Sequence, residues 1–103
     1  MSWNYRIFRG TDESGQRYYE FREAYYDEPP KISGWTSNPS APVGETFDEL
    51  VNDLAWILSG LTKPILDVDT GLEVEPAKML EDDLMKWMDA NGKLQPKPEP
   101  DNG

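Results

Sequence analysis

Two stretches of alternating aromatic and polar residues near the start of the chain constrain its fold more than any other feature. The first is WNYRIFR at 3–9, and the second is RYYEFREAYY at 17–26. A period of two is typical of β-strands, because successive side chains of a strand point to opposite faces. The segment TDESGQ between them contains Asp, Ser and Gly, which favour turns. The sequence therefore predicts an antiparallel hairpin.

The two faces of this hairpin differ in chemistry. In the first strand Trp3, Tyr5 and Ile7 share one face, and in the second strand Tyr19, Phe21 and Tyr25 share one side; we expect a helix to cover one face of the sheet. The opposite face of the second strand mixes aromatic and charged groups, namely Tyr18, Glu20, Arg22 and Tyr26. A mixed face is typical of a sheet that is solvated on one side. Arginine–glutamate pairs across the strands are expected there.

The next segments predict a third strand, a loop and a helix. The two prolines of DEPPK interrupt strand pairing, and ISGWTS at 32–37 predicts a short strand that completes a meander. NPSAPVG at 38–44 is expected to be a loop. TFDE matches a capping box, in which the Thr46 hydroxyl accepts a backbone N–H and the Glu49 side chain reaches back to the backbone N–H of the capping residue. A helix is predicted from about 47 to 60, closed by Gly60.

The second half of the chain has weaker patterns. In KPILDVDTGLEVE, the apolar residues Ile65, Leu66 and Val68 fit either a short edge strand or an irregular connection, and we interpret the segment as a loop. A second helix is predicted from 77 to 90, with Pro76 in its first turn. Its apolar line contains Leu80, Leu84, Trp87 and Met88. From residue 93 onward, three prolines without apolar spacing predict a disordered tail.

These elements predict an α+β fold, namely a three-stranded antiparallel β-meander packed on one helix, with a second C-terminal helix. Residues 1–92 are predicted to form a single domain and residues 93–103 a disordered proline-rich tail. A chain of 103 residues has room for one core. Its hydrophobic content of 37% is low, but four Trp, five Tyr and three Phe compensate because each ring buries a large area.

Composition excludes several classes of function. The chain contains no cysteine and no histidine, which removes Cys/His zinc sites, histidine acid–base catalysis and Ser-His triads. We therefore predict no catalytic residue, metal or cofactor. The chain has no apolar run long enough for a signal peptide or a membrane span, so a cytoplasmic protein is expected.

Charge limits the kinds of partner. The net charge is −10, and residues 45–83 hold eleven acids against Lys63 and Lys78 alone. Direct binding to nucleic acid or to an anionic membrane is therefore not expected, because neutralising phosphates requires cations. The alternative explanation of the acidity is that it keeps a small protein soluble.

Trp56 is the main candidate for partner contact. With Phe47 at zero and about 100° per residue, Trp56 falls near 180°, opposite the apolar stripe of the helix. That stripe consists of Phe47, Leu50, Val51, Leu54 and Leu58. Trp56 is buried by the second helix, packs on the loop before the third strand, or contacts a partner. Because tryptophan is enriched among interface anchors, the predicted partner-binding residues are Trp56, Asp48, Asp53, Asp82, Asp83 and Met85.

Two further segments carry carboxylates. Glu23 shares the aromatic strand face, where it either has a buried partner or, beside a second carboxylate, performs acid–base chemistry. DVDTGLEVE at 67–75 begins with Asp67 and Asp69, spaced like the first two ligands of an EF-hand calcium loop. Its fifth, sixth and twelfth positions do not fit that loop. The segment is therefore predicted to be an acidic turn.

Two resemblances follow from the motifs quoted above. WNYRIFR, YYE and GWTSNPSAPVGETFDELVNDL resemble a widespread group of short bacterial proteins, which implies a shared fold but no activity. GETFDEL, after a meander and before a helix, resembles the G-D-T-x-E-E-A element of HicB-like antitoxins over residues 3–60. That resemblance implies strands followed by a helix and neutralisation of a partner toxin. The chain departs from the element at Glu45 and Leu50, and it lacks a recognisable DNA-binding segment.

The sequence thus favours an acidic protein-binding module without catalytic activity, acting as a toxin-neutralising or regulatory partner. Its partner is expected to be a protein, and the chain itself a monomer or weak homodimer. One alternative is an acidic mimic of nucleic acid that inhibits a DNA- or RNA-binding protein. Another is a small carboxylate-dependent enzyme. Salt separates the first two, because mimicry of phosphates loses affinity steeply as ionic strength rises.

Overall fold

The computed structural model describes residues 2–91 and has a mixed α+β fold built on one five-stranded sheet. Its elements are β1 (Ser2–Thr11), β2 (Arg17–Glu28), β3 (Lys31–Trp35), α1 (Phe47–Leu58), a 3₁₀-helix (Ser59–Thr62), β4 (Ile65–Asp67), β5 (Glu73–Glu75) and α2 (Glu81–Asn91). The strand order is β3-β2-β1-β4-β5. Neither helix of the described part is long and apolar enough to cross a membrane. The predicted tail at 93–103 lies outside the described residues.

The predicted hairpin and meander are present. β1 and β2 pair antiparallel along the whole of β1, and β3 pairs antiparallel with β2. In the turn between β1 and β2, the Asp12 carboxylate accepts the backbone N–H groups of Ser14 and Gln16, each at 2.9 Å. Gly15 follows with a φ of +88°, which favours glycine. Local turn chemistry therefore fixes the hairpin, as the sequence pattern predicts.

The segment that we interpreted as a loop contributes two strands, so the prediction of a three-stranded sheet was wrong in its extent. β4 pairs with β1 in parallel, and β5 pairs with β4 antiparallel. Ile65 and Leu66, adjacent in β4, are only 4% and 1% exposed. A strand covered on both faces has no alternation to detect. Three residues are also too few to establish any period.

The main core lies on the face of the sheet opposite α1. It contains Phe8, Ala24, Tyr26 and Leu66. The sheet curls over this cluster, because Trp35 of β3 packs against Phe8 with ring centroids 5.7 Å apart and donates its indole N–H to the carbonyl of Val68 at 3.2 Å. Val68 directly follows β4, which in a flat sheet would lie about 14 Å from β3. Trp35 therefore closes the curled sheet.

The prediction that this face is solvated was wrong. Arg6 and Arg22 lie on this face and are only 7% and 8% exposed. Arg6 donates to the Tyr26 hydroxyl at 2.8 Å and to the Pro64 carbonyl at 2.9 Å. Arg22 pairs with Glu20 on its own strand, not across strands as predicted. This face therefore contains buried, hydrogen-bonded arginines, although its sequence pattern is typical of a solvated face.

α1 begins as predicted but ends differently. The Thr46 hydroxyl accepts the N–H of Glu49 at 3.1 Å, which confirms the cap. The Glu49 carboxylate accepts the N–H of Glu45 at 3.0 Å, one residue before the capping position. Gly60 lies inside the 3₁₀-helix and does not close α1. A Cβ at Gly60 would lie 2.9 Å from the carbonyl oxygen of Tyr5, so glycine permits this close approach to β1.

α1 also presents a different face to the sheet from the predicted one. Ile57, at about 280° on the helical wheel, is its buried residue. Asp53, at about 240°, accepts a hydrogen bond from Tyr5 of β1. Phe47, which was expected to begin the buried stripe, is 76% exposed. The helix is therefore rotated by about a quarter turn relative to the orientation expected from its apolar stripe.

α2 is shorter than predicted and begins four residues later, at the acidic run 81–83. Acidic side chains favour a helix N-terminus because of its partial positive charge. Leu84 and Met88 are each 6% exposed, whereas Leu80 and Trp87 are 69% and 46% exposed. Only part of the predicted apolar line is therefore buried, and α2 packs on the 3₁₀-helix.

Candidate functional site

Three rings from two elements form one cluster on the helix-bearing face of the sheet. We call this set, Trp3 and Tyr5 of β1 with Trp56 of α1, the aromatic cluster. The ring centroids of Trp3 and Trp56 are 5.1 Å apart, and both pack against Tyr5, at 5.2 Å and 6.4 Å in edge-on geometry. These separations are typical of favourable aromatic pairs. Strand alternation places Trp3 and Tyr5 together, and the rotation of α1 brings Trp56 to them.

Both tryptophans of the aromatic cluster are accessible to solvent. Trp56 is 53% exposed and Trp3 is 39% exposed, whereas Tyr5 beneath them is 5% exposed. Trp56 is therefore not buried by the second helix or by the loop before the third strand, the two structural positions that the sequence left open. It packs on Trp3, a neighbour that the sequence analysis did not identify. The result is a surface with two half-exposed indoles on a buried phenol.

A cleft of about 550 Å³ adjoins the aromatic cluster at Tyr5. One side is β2, and the other is the loop that follows β3. Hydrogen bonds hold this loop against β2, because Thr36 N–H donates to the Glu23 carbonyl at 3.0 Å and Ser40 N–H donates to the Phe21 carbonyl at 2.7 Å. The residues lining the cleft are Tyr5, Glu23, Tyr25, residues 36–41 and Val43.

Two carboxylates lie beside Tyr5. Its hydroxyl donates to Oδ1 of Asp53 at 3.3 Å, and Glu23 is its partner across the β1–β2 ladder. Burial, then Asp53 and Glu23, raise the pKa of Tyr5 to about 12, because a phenolate is disfavoured away from water and beside negative charge. The hydrogen bond from Tyr25 to Glu23, 2.8 Å long, likewise raises the pKa of Tyr25. The local environment is thus negative, with neutral tyrosines.

Asp53 acts as a structural link in this site. Its Oδ2 accepts the N–H of Val43 at 2.9 Å while Oδ1 accepts the Tyr5 hydroxyl. Each oxygen therefore accepts one hydrogen bond, and together they tie α1 and the loop to β1. Among the described residues that line the cleft, Glu23 supplies the carboxylate. The second free carboxylate that acid–base chemistry with Glu23 would need is not in the cleft lining.

The predicted partner-binding residues fall into two groups. Trp56 and Asp53 belong to the aromatic cluster and its supporting hydrogen bonds. Asp48 is exposed in the first turn of the same helix. Within residues 2–91, no hydrogen bond, ion pair or ring contact joins the cluster to the three exposed predicted residues of α2. These are Asp82, Asp83 and Met85.

The sequence analysis missed Trp3, Tyr5 and Tyr25 as members of this site. Part of the signal was available, because strand alternation groups Trp3 with Tyr5 in the first strand and Tyr25 with Glu23 in the second. The β1–β2 register brings the two pairs together. What the sequence lacked was the angle at which α1 meets β1. That angle depends on the Tyr5–Asp53 hydrogen bond and on the absence of a side chain at Gly60.

Residues 68–70 of the acidic segment at 67–75 form a turn, as predicted, whereas Glu73–Glu75 form β5. Oδ1 of Asp67 accepts the N–H groups of Asp69 and Thr70 at 2.8 Å and 3.0 Å. These bonds, the one from Asp69 first, lower the pKa of the Asp67 carboxyl. Over the part of the chain that the structure describes, no group of three or more Cys, His, Asp or Glu side chains is arranged to hold a metal ion.

Comparisons with protein-family models, with curated proteins and with solved structures find no match to this chain. Function is therefore argued from the aromatic cluster and the cleft beside it.

Proposed function

We propose that this protein is a small protein-binding module whose contact surface is the aromatic cluster. The observation that carries the proposal is the pair of Trp3 and Trp56, which are 39% and 53% exposed and pack against each other and against buried Tyr5. Tryptophan is the residue type most typical of binding hot spots, because it buries a large area and loses little entropy. Two rings held in contact on two packed elements lose less conformational entropy on binding than a single ring without such a contact.

Charge favours a basic partner. The chain carries a net charge of −10, and residues 45–83 contribute most of the acids. Opposite charge on the partner raises the rate of encounter and disfavours wrong partners. Arginine and lysine side chains also bind favourably over the faces of exposed tryptophans. We therefore propose a positively charged protein surface as the partner, in a toxin-neutralising or regulatory role.

A matched pair of variants tests this proposal. Trp56→Ala removes half of the exposed tryptophan pair, whereas Phe47→Ala removes an exposed ring from another side of the same helix. Both proteins and the wild type serve as baits for affinity capture from a source lysate, with mass spectrometry of the bound proteins. We expect the protein captured by wild type and Phe47→Ala to bind Trp56→Ala at least about 30-fold more weakly, the effect of losing a hot spot of about 2 kcal/mol. Equal binding to all three baits contradicts the proposal.

A second candidate function, an acidic mimic of nucleic acid, is favoured by the eleven acids of residues 45–83. It is distinguished by repeating the capture at roughly 0.05 M and 0.5 M salt. Anchoring by tryptophans retains most of its affinity at high salt, whereas phosphate mimicry loses it steeply and selects a DNA- or RNA-binding protein. The carboxylate-dependent enzyme has the least support, because Glu23 is the single carboxylate among the described residues lining the cleft.

A further inference from the structure

We propose that the cleft beside the aromatic cluster receives a cationic side chain, an arginine or a lysine, from the protein partner. This inference rests on the proposed protein-binding function and names the chemistry that the surface recognises. It follows from three properties of the cleft: the charge of its lining, the direction of its hydrogen bonds and its position next to the tryptophans.

The lining of the cleft is neutral or negative throughout. None of its residues is a lysine or an arginine, and Glu23 supplies a full negative charge. One oxygen of that carboxylate, Oε1, accepts the Tyr25 hydroxyl at 2.8 Å. The other, Oε2, accepts no hydrogen bond within residues 2–91. A carboxylate oxygen beside the cleft is therefore available to a ligand.

The hydroxyl protons of the two tyrosines and of Thr36 around the cleft are already donated to protein acceptors. Tyr5 uses its hydroxyl proton on Asp53, and Tyr25 uses its own on Glu23. The Thr36 hydroxyl donates to the carbonyl of Asn38 at 3.2 Å. The lone pairs of these oxygens and the free Oε2 remain as acceptors. Ammonium and guanidinium groups are donors with no acceptor, so they match these oxygens, and the negative charge of Glu23 disfavours an anion.

Size and position agree with a side chain that belongs to a larger partner. The volume of about 550 Å³ lies within the range of ligand pockets. Tyr5 belongs to both the cleft and the aromatic cluster, so the cleft begins beside the surface that Trp3 and Trp56 form. The rings of Tyr5 and Tyr25 in the lining add favourable cation–π contacts. One partner segment is thus able to contact both surfaces.

The test is a titration of the ¹⁵N-labelled full chain followed by two-dimensional NMR. The probes are N-acetyl-arginine amide, N-acetyl-lysine amide and, as the uncharged isostere of arginine, N-acetyl-citrulline amide. We expect saturable shifts at the amides of residues 21–25 and 36–43 with at least one cationic probe, and no saturable shifts with citrulline amide. Equal responses to the charged and uncharged probes, or cationic shifts confined to α2, overturn the inference.

Two variants locate the charge that is responsible. Glu23→Gln keeps an acceptor for Tyr25 but removes the negative charge, whereas Glu13→Gln removes one charge at an exposed position of the turn between β1 and β2. Glu23→Gln is expected to weaken binding of the cationic probe about fivefold or more, and Glu13→Gln to leave it within about twofold. Equal weakening by both variants shows a general charge effect and overturns the cleft as the site.

The failure of this inference is distinct from failure of the proposed function. If Trp56→Ala no longer binds the captured partner but neither cationic probe shifts the amides of the cleft, the proposed tryptophan surface is supported and the cleft inference is wrong. If Trp56→Ala binds the partner as tightly as wild type does, the proposed function is wrong, and the cleft then has no role in it even if a cationic probe binds there.

Discussion

Arg6 illustrates why single residues in this chain depart from their usual locations. It is 7% exposed, yet within the described residues its guanidinium forms no ion pair. It donates instead to Tyr26 and Pro64, and the Tyr26 hydroxyl in turn donates a hydrogen bond to Oδ1 of Asn4 at 2.8 Å. Its Nε has no partner in the described part of the chain. Neutral acceptors from distant segments stabilise this cation, and the alternation pattern contains no information about them.

The stability effect of Trp56 follows from its half-buried position. Trp56→Ala is expected to lower the free energy of unfolding by about 1 to 2 kcal/mol, because a ring pair and roughly half of a large side chain's burial are lost. Phe47→Ala, at 76% exposure, is the control and should change stability by less than about 0.5 kcal/mol. Urea denaturation monitored by circular dichroism measures both. A loss of about 3 kcal/mol or more at Trp56 would place this residue in the core and contradict its assignment to the surface.

Elements with strong local signals were predictable from the sequence, and elements that depend on distant partners were not. The hairpin has two long alternating runs and an Asp–Gly turn, and α1 has a hydroxyl cap at Thr46, so both are encoded locally. β4 is buried because it pairs with β1, a contact between distant parts of the chain. The rotation of α1 likewise depends on β1, through Asp53 and Tyr5.

The same division applies to the candidate site. The sequence identified Trp56 and Asp53 on the helix and placed Glu23 on the aromatic strand face. It did not connect them, because the connection requires the packing angle between α1 and β1. The predicted residues of α2 were grouped with Trp56 on chemistry alone, and the described contacts do not join them to it. Residue types therefore indicated a binding surface, while its composition depended on tertiary packing.

The close approach of the 3₁₀-helix to β1 is testable at Gly60. Gly60→Ala would place a Cβ 2.9 Å from the Tyr5 carbonyl oxygen, and backbone atoms have little freedom to move away. We expect a loss of about 1 to 3 kcal/mol in the free energy of unfolding, as in other overpacked sites. Gly34→Ala is the matched control, because a Cβ there meets nothing within 4 Å, and it should change stability by less than about 0.5 kcal/mol. Equal urea midpoints for the two variants would show that this approach does not require glycine.

At the scale of the whole molecule, Glu75 connects four separate segments. Its Oε2 accepts Arg9 of β1 at 2.9 Å and the Tyr19 hydroxyl of β2 at 2.7 Å. Its Oε1 pairs with Lys78, which precedes α2, at 2.8 Å. Hydrogen bonds from Lys78, Tyr19 and Arg9 lower the pKa of the Glu75 carboxyl to about 2. Edge strand β5 is therefore tied to the hairpin and to the approach to α2 by one ionised group.

This network predicts a specific loss of stability in acid. A carboxyl whose pKa is lowered on folding stabilises the fold above its unfolded pKa, about 4.5, and loses that contribution as the pH falls towards its folded pKa of about 2. Glu75→Gln should therefore be less stable than wild type at pH 7, and the gap in thermal midpoint should shrink from pH 5 to pH 2. Glu73→Gln on the same strand makes the same change in net charge, and Glu73 forms no ion pair among the described residues. The thermal midpoint of Glu73→Gln should change with pH as that of wild type does. If the difference in thermal midpoint between Glu75→Gln and wild type stays constant down to pH 2, ionisation of Glu75 does not stabilise the fold.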